Sequence, residues 1–200
     1  MKRIKSAKSK SIILFGVITF ACSTICVVSI QLFINGCLWW ECAPKRNFDV
    51  LSLGIPLEIS PGNSIHRLRN DSIEVISLGF QDIYSKELND VGNYVVERYS
   101  KLANASEAYQ HGLHLFIIFE TQKPWERPNE LSFEPQFADE SIIGCGLGSQ
   151  NDHYRCIFQA RYQEFLILIN CGMGQDMTYQ DFQKIIIFID QRMEDLLEKH

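Results

Sequence analysis

Residues 156–198 read CIFQARYQEFLILINCGMGQDMTYQDFQKIIIFIDQRMEDLLE, and this stretch decides the fold. Phe165 to Ile169 is an unbroken apolar run of strand length, which suits a central, doubly buried strand. With the preceding CIFQA it predicts two neighbouring strands, 154–160 and 163–171, with Arg161-Tyr162 between them as a turn or bulge. The period then changes. Phe182, Ile186, Ile189, Met193 and Leu196 step by four, three, four and three, which is one face of an amphipathic helix. Thr178 stands where an N-cap belongs, and Asp181 in the first turn suits the positive end of the helix dipole. The helix is expected over Tyr179–Glu198, with Gln183, Lys184, Asp190, Gln191 and Glu194 on its other faces. A buried Arg161 paired with an acid such as Asp190 would lock sheet to helix.

Upstream, SIIGC ending at Cys145 predicts another strand, 139–146, and the polar segment from Gly146 to Arg155 reads as a hairpin connection. That places Cys145 and Cys156 across neighbouring strands, within disulfide reach. Ile73–Phe80 and Asn93–Tyr99 read as further strands. Asn104 and Glu107 have capping-box spacing, and Tyr109, Leu113, Phe116 and Ile117 recur at helical spacing, predicting a helix over 105–119. Pro124-Trp125-Glu126-Arg127-Pro128 is a stiff loop. The class is α+β: an N-terminal transmembrane helix, then a largely antiparallel sheet packed against two helices. Residues 1–10 are expected to be a basic cytoplasmic tail, 11–36 the transmembrane helix, 37–72 a membrane-proximal stalk and irregular or edge-strand region, and 73–200 the extracytoplasmic domain.

The membrane reading rests on Ser11 to Ile34, which contains no charged residue and as a helix is long enough for a ~30 Å hydrocarbon core. Lys2, Arg3, Lys5, Lys8 and Lys10 precede it, which points the N-terminus to the cytoplasm. Trp39 and Trp40 follow, where aromatic anchors sit at the opposite interface. Two alternatives remain open. One is a signal peptide cleaved near Ala21-Cys22-Ser23, although the apolar run continues well past it. The other is a lipoprotein modified at Cys37. All three export the same domain.

The net charge of −5 hides an asymmetry. Of 19 basic residues 14 lie after residue 34, with all 24 acidic ones, so the rest of the chain carries −10. That excludes a nucleic-acid surface, because phosphate binding needs a basic face. Five of the seven cysteines follow the apolar segment and suit an oxidising compartment. Cys37 and Cys42 straddle the tryptophans as a second candidate disulfide. Cys171 is left over, buried at a strand end or available to another chain.

CIFQARYQEFLILIN, MTYQDFQKIIIFID, the KPWERP loop and the IIGCG strand resemble a group of uncharacterised exported bacterial proteins with a single N-terminal membrane segment. The likeness spans roughly residues 90–198 and transfers no functional residue. Their strand–helix order is similar to the Mog1/PsbP-type α/β/α sandwich, which implies binding rather than catalysis.

Catalytic signals are thin. No G-x-S-x-G, P-loop or H-E-x-x-H is present, and no cofactor motif is found. His111 and His114 share a helix face and could ligate a metal with Glu107 or Glu120, but spacing identifies no third ligand, and surface or half-buried histidines are the preferred reading. A thiol nucleophile at Cys171 would need His153 or His111 beside it. Trp125 either covers the core or presents an aromatic to a ligand. Asp139-Glu140 reads as solvated surface. The expectation is a membrane-tethered, non-catalytic module binding a protein partner or small ligand. A metal-binding or thiol-active protein and an accessory subunit of a membrane complex are the alternatives.

Overall fold

A computed structural model describes residues 4–59, 65–69, 73–80, 92–118, 125–147, 154–174 and 177–198. The chain divides into two compact units, Met1–Cys42 and Ala43–His200.

The first unit is helix α1, Ile4–Asn35, and a short loop. Within α1, Gly16–Ile34 is long and apolar enough to cross a membrane, with a mean hydropathy of 2.2 over 19 residues. The helix starts before the expected Ser11 because the lysine-rich tail holds no proline or glycine to stop it. It ends at Asn35, where Gly36 takes the left-handed conformation (φ 66°) and donates its N–H to the Leu32 carbonyl. Cys37 and Cys42 are disulfide-bonded with Cα atoms 5.4 Å apart. The loop they close leaves Trp39 and Trp40 exposed.

The second unit is built on one six-stranded sheet. Its strands are β1 (Ile65–Arg69), β2 (Ile73–Phe80), β3 (Gly92–Tyr99), β4 (Glu140–Leu147), β5 (Tyr154–Tyr162) and β6 (Phe165–Gly172). The order is β1-β2-β3-β6-β5-β4, and every neighbouring pair is antiparallel. Helix α2 (Leu102–Ile118) lies between β3 and β4 in the chain, and α3 (Tyr179–Glu198) closes it. The apolar run read as a central strand is β6, which has β3 on one side and β5 on the other.

Two residues of β5 fix the layering. Gln159 and Tyr162 lie three apart on a regular strand, so they face opposite sides of the sheet. The Gln159 amide donates to the Tyr109 carbonyl of α2 (2.9 Å), and the Tyr162 hydroxyl donates to Asp190 of α3 (2.9 Å). The helices therefore cover opposite faces, giving three α/β/α layers. On the α3 side Ile76, Leu78, Tyr94, Val96, Phe158, Ile167 and Ile169 meet Phe182, Ile185, Ile186, Ile189 and Met193 in one buried cluster. Fully burying side chains of this size is worth about 1.5–3 kcal/mol each.

Three expectations change. Residues 43–59 are not stalk: Val50, Leu53 and Ile55 are buried in the core, two 3-10 turns (Val50–Leu53 and Leu57–Ile59) touch α3, and Leu53 accepts a hydrogen bond from the Tyr94 hydroxyl. Part of the domain's core thus comes from a proline-bearing segment without periodicity. Helix α2 begins at Leu102, so Asn104 lies in its first turn instead of capping it. Asp190, assigned to a polar face, is 1% exposed because Tyr162 and the backbone N–H groups of Gln136 and Phe137 supply its hydrogen bonds. Thr178 does cap α3: its hydroxyl accepts from the Asp181 N–H and donates to the Asp181 carboxylate.

Candidate functional site

The hairpin between β5 and β6 is two residues long, Gln163-Glu164, and both are unusual. Gln163 has φ 55°, a conformation such turns normally give to glycine or asparagine. Holding another residue there costs on the order of 1 kcal/mol. Its N–H donates to Asp139, its carbonyl accepts from Arg161, and its side-chain oxygen accepts from Arg46. Glu164 is a carboxylate with no exposure at all, and Arg46 grips it with two hydrogen bonds of 2.8 and 3.0 Å. The bidentate geometry and the buried guanidinium are what a carboxylate needs to leave water.

Arg98 approaches the same carboxylate from β3. Its Nε stands 3.7 Å from Glu164 and its Nη1 3.9 Å from Glu74, both beyond hydrogen-bond length, while Nη2 donates to the Pro44 carbonyl (3.0 Å). The guanidinium sits 5.6 Å from the Phe165 ring centroid, and Phe48 stacks on Phe165 at 5.6 Å. Beside this cluster opens a concavity of about 680 Å³, lined by Arg46, Asn47, Phe48, Asp49, Ser52, Glu74 and Arg98. The size lies in the range of small-molecule sites. It combines one aromatic wall, two guanidiniums and two carboxylates, and Arg46 ties it to the strained Gln163-Glu164 hairpin. Such strain gathers where function requires a geometry that local preference would not choose.

The residues singled out by sequence lie elsewhere. His111 is exposed on α2; the side chains of His114, Glu120 and His153 fall outside the described residues. Among the described residues no group of three or more histidines, cysteines or acids could hold a metal. Cys171 is buried, and burial pushes its thiol up to about 12, so it is not an exposed thiolate. Trp125 packs against β4. A Cβ at Gly146 would lie 2.5 Å from its ring and one at Gly144 3.2 Å from its Cβ, so these two glycines make the seat for the indole. Its neighbour Glu126 pairs with Cys145 as a short extension of the sheet. Arg161 does not meet Asp190. It binds Glu140 (2.7 Å) and Asp139 (2.9 Å), which are therefore clamps on the hairpin and not idle surface. Cys145 and Cys156 are disulfide-bonded across β4 and β5.

Arg46, Arg98, Glu74 and Glu164 escaped the sequence reading. They come from four separate segments, so no spacing links them. The one local hint is a glutamate set between two apolar strands. No family model matches the chain, and no curated protein or solved structure matches it.

Proposed function

We propose that this protein is a non-catalytic, membrane-tethered binding module working outside the cytoplasm, with the concavity beside Arg46 and Arg98 as its ligand face. The ligand class is a small carboxylate with an apolar body. The observation that carries this is Arg98. Its Nε and Nη1 stand 3.7 and 3.9 Å from Glu164 and Glu74, ion-pair contacts longer than a hydrogen bond, and the residue lines the open concavity together with Phe48. A carboxylate is the planar acceptor that fits a guanidinium edge.

Five cations ahead of a span of membrane length support an N-terminus inside, and two disulfides support an oxidising compartment for the domain. The three-layer order supports the likeness to a Mog1/PsbP-type sandwich, which by itself speaks for fold alone.

The test uses the full chain in lipid nanodiscs and a panel of free amino acids and small mono- and dicarboxylates. Thermal melting and isothermal titration read out binding. At least one member should raise the melting temperature, and Arg98→Ala should weaken that member at least tenfold. A panel without effect, or binding indifferent to Arg98→Ala, rejects the reading.

A further inference from the structure

Three cysteines stand in one row across three adjacent strands. Cys145 on β4 faces Cys156 on β5, and Cys156 faces Cys171 on β6. The two pairings are of different kinds. Cys145 exchanges both backbone hydrogen bonds with Glu126, so its polar groups point away from β5. Cys145–Cys156 is thus a non-hydrogen-bonded pair, as its Cα separation of 4.1 Å agrees. The polar groups of Cys156 then point to β6. Two positions along, Met173 donates to Tyr154, as this alternation requires. Cys156–Cys171 is a hydrogen-bonded pair, with Cα atoms about 5.5 Å apart. That separation also lies inside the range a disulfide spans, about 4.4–6.8 Å. Cys145 and Cys171, two strand spacings apart at about 9.5 Å, lie outside it.

We infer that Cys156 is shared between two disulfides of this fold, and that Cys171 can exchange into the bond by displacing Cys145. In the exchange the Cys171 thiolate attacks Cys156 Sγ, the Sγ–Sγ bond to Cys145 breaks, and Cys145 leaves as thiolate. It takes up the proton that Cys171 lost, so no oxidant or reductant is consumed. Both pairings use the existing register, so no strand has to slip, and the two Cβ atoms of the hydrogen-bonded pair need only draw together by about 1 Å. One rotation is needed. A Cβ at Gly92, opposite Cys171, would come within 2.9 Å of its Sγ, so the thiol now leans over the space this glycine leaves and must swing toward β5. The outcome moves the free thiol from the middle of the sheet to the outer strand β4, where Cys145 is 4% exposed and still part of the core cluster. Burial of Cys171 in the present pairing makes the exchange slow, and the rate follows the thiolate fraction.

The full chain in nanodiscs decides this. After incubation at rising pH and acid quenching, free thiols are alkylated and disulfides mapped by mass spectrometry. The expected product is a Cys156–Cys171 linked peptide with alkylated Cys145, forming about tenfold faster per pH unit below the thiol's own range. Finding only Cys145–Cys156, with Cys171 alkylated throughout, overturns the inference. A second arm oxidises Cys145→Ser with glutathione disulfide, which takes the two electrons and leaves as two glutathione thiols. Cys156 and Cys171 should then be joined, and both remaining free in the folded variant counts against the exchange equally. If that variant does not fold, the wild-type arm decides alone.

Discussion

Glu164 shows how much a single side chain can be asked to do. It fills the second position of a two-residue hairpin, is wholly buried, and is satisfied by Arg46 while Arg98 stands close by. Its carbonyl also accepts the Tyr99 N–H, so the residue ties β3 to the hairpin through backbone and side chain together. Removing one partner of a buried pair leaves the other charged and dry. Glu164→Ala is therefore expected to destabilise the domain by about 3–5 kcal/mol in urea unfolding. A loss below about 1 kcal/mol would mean that Arg46 finds water or another acceptor. The carboxylate was invisible as a site in sequence because a glutamate between strands ordinarily marks a solvated turn. Only Arg46, more than a hundred residues upstream, reverses that reading.

Among the elements, α2 carries the sharpest conflict between local and tertiary preference. Gly112 sits inside the helix, where glycine costs about 1 kcal/mol relative to alanine. Helix propensity alone predicts that Gly112→Ala stabilises. The packing predicts the reverse. A Cβ there would lie 2.5 Å from the Gln159 amide, which is buried and already committed to the Tyr109 carbonyl. The substitution is expected to cost about 1–3 kcal/mol and to raise hydrogen exchange in β5. A gain in stability would show that Gln159 can turn aside without losing its partner. Helix α3 has no such conflict: its Thr178–Asp181 cap, its stripe and its length were all legible in the sequence. Asp190 was the exception. Its place beside the stripe could not reveal that Tyr162 and a returning loop would supply partners inside the core.

For the whole domain, buried neutral acids shape the response to pH. Burial raises the Cys171 thiol from 9.0 to about 12, and burial raises the Tyr94 and Tyr162 phenols above 10.0, with Asp190 adding to Tyr162. In the unfolded chain these groups ionise at their ordinary values, while in the folded domain they stay neutral. The stability they contribute is thus complete below about pH 9 and is lost as pH climbs from there toward and beyond 12. Denaturation midpoints should fall steadily on the alkaline side. Cys171→Ala should delay the onset to the tyrosine range near 10. An alkaline limb unchanged by that substitution would show that the thiol titrates normally. Both cysteine pairs that the sequence suggested lie at disulfide distance, because each depends on local geometry: one on a short loop, the other on a hairpin.

The sequence by itself determined the elements whose signals are local and periodic. These are the apolar span of α1, the strands from β2 onward, the stripe and cap of α3, and hence an α+β chain with a sheet rich in hairpins. Period, capping and strand-length apolar runs are written within a few turns of backbone, so no distant contact is needed to read them. The tertiary structure decided which faces the two helices cover, that residues 43–59 complete the core, and that Arg46, Arg98 and Glu74 line one concavity with Glu164 buried behind Arg46. Those facts depend on contacts between segments far apart in the chain, where burial and charge pairing, not local preference, set the free energy.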